Sequence, residues 1–183
     1  MRWVVILALG LTFAGCGDSV SRRKSAAAEL QALSATFRAN PDDATPLNSI
    51  IDVLEHGEYS FDRTYACGEL RELGPLAKPA VPALVRALNC GDKYVEREAP
   101  RSLGAIGEGA RDAVPTLIEK LRMSTRDAGW FSAEALGKIG EPALVAIPEL
   151  EIAASSGSGL MVEFANNALN RLRRIQQLRD HAE

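Results

Sequence analysis

The chain has 183 residues, 46% of them apolar and 25% charged, and a formal net charge of −3. That is enough chain for one core-forming domain, too apolar for global disorder, too charged for a polytopic membrane protein, and too acidic for a general nucleic-acid footprint. Aromatics make up only 5%, which favours helices packed through small residues over a β-sandwich, and two histidines and three cysteines leave little material for metal or nucleophilic chemistry.

The chain opens MRWVVILALGLTFAGCG, with Arg2 ahead of an apolar run from Trp3 to Leu11 and small residues at Ala14 and Gly15. This is the layout of a secretory signal peptide over residues 1–15, and the uncharged stretch is short of the ~20 residues that a spanning helix needs. The segment Phe13-Ala14-Gly15-Cys16 resembles the lipobox of bacterial lipoproteins, whose cysteine carries diacylglycerol and becomes the acylated N-terminus. The resemblance implies lipidation at Cys16 and a protein exported and anchored to a membrane of the cell envelope, with plain secretion as the alternative. Residues 16–21 are then a tether that holds the domain within about 20 Å of the lipid. Arg22, Arg23 and Lys24 either meet anionic headgroups or form a solvated helix start.

Residues 22–61 read as a divergent N-terminal cap or repeat. Ala26, Leu30, Leu33 and Phe37 share one helical face, Asn40-Pro41 ends that helix, and Thr45-Pro46 opens another carrying Ile50, Ile51 and Leu54. His56 sits well at the negative end of that second helix, with Gly57 as its stop. The lone Glu55-His56 pair does not give metal spacing.

From residue 62 onward the sequence repeats itself every 33 residues, and the N-terminal pair of helices is expected to fall out of that register. Leu70, Leu103, Leu136 and Leu169 form one column, and Leu73, Ile106, Ile139 and Leu172 another. Gly74, Gly107 and Gly140 form a third, and Ala77, Ala110 and Ala143 a fourth. Ala80, Ala113 and Ala146 then lead into Val81, Val114 and Ile147, the prolines Pro82, Pro115 and Pro148, and Leu84, Leu117 and Leu150. Ala66, Leu70 and Leu73 stripe a first helix, and the glycine ends it in a left-handed conformation. Asp112 is the expected N-cap of the second helix in its repeat, with Pro115 as third helical residue, where a missing N–H breaks no bond. The repeats run at roughly 62–91, 92–124 and 125–157. A capping helix follows at 160–180, its outer face charged by Arg171, Arg173, Arg174 and Arg179.

Val95, Ala99, Leu103, Gly104, Ile106 and Gly107, followed by Ala113, Val114, Pro115 and Leu117, resemble HEAT-like repeats of the short type found in phycobilisome lyases. The resemblance covers about 62–175. It implies an all-α, right-handed α-solenoid of stacked antiparallel helix pairs, with function on its exposed faces. Taken with the lipobox and the acidic balance, the expectation is a protein-interaction scaffold with no catalysis of its own and no cofactor, partnered by an unidentified protein and by the membrane through the lipid anchor, but not by nucleic acid. The alternative is an enzyme or ligand-binding protein that uses the concave groove, as a lyase-like relative would.

Arg86, Thr116, Glu119, Lys120 and Glu149, together with Ala83, Ala87, Ile152 and Ala153, are the second-helix residues expected to line that groove. Trp130 stands in a column whose other members, Thr64, Arg97 and Glu163, are polar. It is therefore either an exposed binding hot spot or an indole packed over its own loop. Tyr94 is a second exposed candidate. Phe131 shares a column with Tyr65 and Phe164 and is expected in the core. Cys67 and Cys90 either form a disulfide or are a small buried residue and a loop thiol.

Overall fold

The computed structural model describes residues 19–123, 127–156 and 159–182; residues 1–15, read as a signal peptide, and Cys16 lie outside them. Nine α-helices stand among the described residues, with no strand: α1 Ser19–Ala39, α2 Thr45–His56, α3 Ser60–Leu73, α4 Val81–Ala87, α5 Lys93–Ile106, α6 Val114–Met123, α7 Asp127–Ile139, α8 Ile147–Ser156 and α9 Leu160–Asp180. The odd-numbered helices stack directly on one another in chain order, and each even helix packs against the odd helix that follows it. This is an all-α solenoid of stacked helix pairs.

The repeated columns are the core of the stack. Leu70, Leu103, Leu136 and Leu169 are buried, as are the four residues that begin with Leu73. So are the two alanine columns that begin at Ala77 and Ala80, and so are Leu84, Leu117 and Leu150. Alanines line the turn between the two helices of each pair because nothing larger fits where the chain doubles back. Gly74, Gly107 and Gly140 end α3, α5 and α7 with φ of 56°, 71° and 83°, a region that side-chain-bearing residues enter at a cost. After each glycine comes a tight 3₁₀ turn, Gly74–Ala80, Gly107–Ala113 and Glu141–Ala146, that runs straight into the next helix. Asp112 therefore lies inside a turn and is not an N-cap, and Pro115 is the second residue of α6, one place earlier than expected.

Two further expectations are corrected at the N-terminal end. α1 begins at Ser19, so residues 19–21, expected in the tether, are helical. The first helix also keeps the repeat register, because Phe37 lies one period ahead of Leu70 and is buried as it is. The slip arises afterwards, where residues 40–44 replace the seven-residue turn of the next repeat. Gly57 stops α2 without a positive φ (φ −54°, ψ 130°); its N–H bonds the Val53 carbonyl, and a Cβ there would lie 2.5 Å from that oxygen.

Candidate functional site

The even helices present the expected strip, and most of its charges are already paired. Arg86 of α4 donates to the Glu55 carboxylate of α2, with Nε 2.9 Å away. Lys120 of α6 lies 3.6 Å from Glu96 of α5, and Arg122 of α6 is bonded to Glu149 of α8. The Arg122 hydrogen bond holds the Glu149 carboxyl below its usual range. Thr116 is half-buried and Glu119 exposed. Ala83 and Ala87 are buried and face the core, contrary to expectation, while Ile152 is 58% exposed. Two of these ion pairs link successive even helices and the Lys120 pair ties α6 to α5, so they brace the stack and leave the strip close to neutral.

Trp130 does not stand free of the surface. It is half-buried and packed against the core, and its indole N–H is buried with no hydrogen-bond partner among the described residues. Tyr94 is 48% exposed, as expected, with the Lys93 ammonium 4.9 Å from its ring. Its position is set by Asp92, whose carboxylate accepts from the Tyr94 and Val95 N–H groups and caps α5. Cys67 and Cys90 are free thiols, so the candidate disulfide is not made in this structure. Cys67 is fully buried, and burial pushes its thiol up to about 12. Cys90 is half-buried beside His56, Arg63 and Arg86 around a cavity of about 250 Å³. At the N-terminal end, the Arg22 and Arg23 guanidiniums lie over the rings of Tyr59 and Phe61, at 4.6 and 5.2 Å.

The most concentrated charge lies elsewhere, on the odd row. Glu98 of α5 stands in the column of Tyr65, Phe131 and Phe164, and it is buried, 7% exposed. Its carboxylate receives Arg71 of α3 at 3.0 Å, Arg97 at 3.2 Å and Arg101 at 3.1 Å. Phe131 is half-buried and not in the core; the Arg101 guanidinium lies 5.0 Å from its ring, and Phe164 meets it edge-on at 5.7 Å. Sequence reading missed this cluster, although an acidic residue in an aromatic column was the visible signal.

The two-helix unit with its glycine, its alanine-lined turn and its Val-Pro or Ile-Pro start recurs three times in this geometry. Residues 81–170 match the family described as HEAT repeats. The fold is a HEAT-like repeat solenoid. It is similar to the crystal structure of an engineered protein, with a TM-score of 0.65 at 21% identity, covering 88% of this chain and 76% of that one. No curated protein matches the chain.

The HEAT-like stack also carries an open depression of about 710 Å³ at the turn end of the odd row, lined by Gly104, Gly107, Gly137, Lys138, Arg174 and Ile175. Among the described residues, no group of three or more His, Cys, Asp or Glu side chains is placed to hold a metal ion. No described helix is long and apolar enough to cross a membrane.

Proposed function

We propose that the protein is a membrane-anchored protein-interaction scaffold, exported, acylated at Cys16 and held in the bacterial cell envelope, with no catalysis of its own. The observation that carries the reading is the match of residues 81–170 to HEAT repeats, which generally mediate protein–protein contacts. The short repeat type of phycobilisome lyases is the subtype that Val95, Ala99 and Leu103 favour. The address rests on the Phe13–Cys16 lipobox, and multiple acyl chains give stable anchoring where one chain is marginal. The competing enzyme or ligand-binding reading needs ionisable groups free to act in the even-helix groove. The pairing of Arg86, Lys120 and Glu149 with neighbouring residues supports the scaffold instead.

Fatty-acid labelling tests the address: wild type takes up label and Cys16→Ser does not. An intact, unmodified Cys16 in the mature protein overturns it. A cross-linked pull-down from detergent-solubilised membranes tests the scaffold: one protein partner should be recovered in stoichiometric amount. Recovery of the chain alone argues against a scaffold.

A further inference from the structure

Glu98 is a buried carboxylate with more positive charge than it needs. Arg71, Arg97 and Arg101 share it, and their side chains remain 33%, 40% and 38% exposed. The neighbouring acids do not cancel the excess. Glu72 lies 3.8 Å from Arg71, so it offsets one charge at most, and Glu134 of α7 is held by Lys138 at 2.7 Å. A guanidinium has five N–H donors in a fixed fork. Arg97 offers Glu98 a single N–H through Nε, and Arg101 uses one terminal nitrogen on both carboxylate oxygens. The remaining donors are tethered by that anchor, and the Arg101 guanidinium lies 5.0 Å from the half-buried ring of Phe131.

We propose that this odd-row surface docks an acidic segment of a partner protein, its carboxylates taken by Arg97 and Arg101 and an apolar side chain laid along Phe131. The proposal rests on the scaffold reading and places the docking surface on the odd row, away from the even-helix strip that the sequence pointed to. Three observations converge on it. The positive excess calls for a carboxylate-bearing partner. Arginine and aromatic side chains are the types that dominate binding hot spots. The guanidiniums are immobilised before binding, which cuts the ordering cost that exposed arginines pay. The even-helix strip, neutralised by its own pairs, has no comparable excess.

The experiment is fluorescence anisotropy of a labelled, short Asp/Glu-rich peptide against the full acylated protein in detergent micelles, with thermal melts of every variant alongside. The peptide should bind, and binding should weaken with salt. Arg97→Gln and Arg101→Gln should each weaken it by about tenfold. Arg86→Gln and Lys120→Gln should leave it unchanged. Glu98→Gln keeps the shape and enlarges the excess, so it should tighten peptide binding even as it lowers the melting temperature. Arginines that serve only to neutralise Glu98 would give no peptide affinity in any variant, and that result overturns the proposal. So does binding that the two odd-row arginine variants leave intact, or preferential binding to phosphatidylglycerol vesicles that the peptide does not compete with. A pull-down that recovers a protein partner while the peptide fails sinks this inference alone. A pull-down that recovers none sinks the scaffold.

Discussion

Gly137 of α7 and Ala168 of α9 approach so closely that a Cβ built on Gly137 would stand 2.8 Å from the Ala168 Cα. One period earlier, Gly104 meets Ala135 in the same way, at 3.0 Å. The odd row thus packs backbone against backbone. In the first repeat Arg71 occupies the position of these glycines and Ser102 that of the alanines. There the α3–α5 contact is polar, with the Ser102 hydroxyl donating to the Cys67 carbonyl at 2.7 Å.

Gly137→Ala should therefore destabilise the protein by about 1–3 kcal/mol, because the blocking atoms are main chain and cannot swing aside. Gly68→Ala is the control: nothing lies within 4 Å of its Cβ position in the middle of α3. It should be neutral or stabilise by up to ~1 kcal/mol through helix propensity. Urea denaturation of the two variants measures the contrast, and equal effects would refute the close packing.

Leu117→Ala tests the register of the repeat. Leu117 is fully buried in α6, so a cavity that relaxes only partly should cost roughly 2–5 kcal/mol. A loss below about 1 kcal/mol in equilibrium unfolding would show that the side chain is not in the core.

Trp130 should behave as a packing residue. Trp130→Ala should lower the melting temperature clearly, because the half-buried indole lies against the core. Trp130→Phe keeps a ring and removes an unpartnered buried N–H, whose burial costs about 1–3 kcal/mol, so it should match wild type or exceed it. A Trp130→Ala variant with an unchanged melt would return the residue to the exposed surface.

The Cys67 thiol gives the protein an alkaline dependence. Burial raises it from the ordinary 9.0 to about 12, with the charges of Glu98 and Cys90 adding to the shift. Between those two values the unfolded chain loses a proton that the folded chain keeps, so stability is intact below about 9 and falls as pH rises through the window. The fall should be shallower in Cys67→Ala when unfolding is measured across that range. In the native protein at pH 8, iodoacetamide should label Cys90 and spare Cys67; equal labelling of both would contradict the burial.

The stack was legible in the sequence because each repeat solves the same packing problem with the same residues. Leu70, Leu103 and Leu136 are alike because their surroundings are alike, and the glycine column announces the one backbone conformation that ends each odd helix. The candidate site was less legible because a column shows what repeats share, whereas a surface is made by what differs. Arg86 and Glu149 read as free strip residues since their partners, Glu55 and Arg122, lie on other helices. Ala83 and Ala87 read as surface but face inward, because α4 packs against both α2 and α5. Glu98 breaks the aromatic column, and its meaning emerges only when Arg71, on the preceding odd helix, is seen reaching across from α3.

Because the odd row is a file of helices in which each touches little beyond its neighbours, it resists force as a zipper and not as a block. A pull applied at the Ser19 end peels directly at the contacts of α1 with α2 and α3, and those give way before the contacts further along the file. Stretching the protein from that end should release it in discrete steps, one helix pair at a time. An intermediate extension would then leave the Arg97 and Arg101 surface standing while the N-terminal pair is already unravelled.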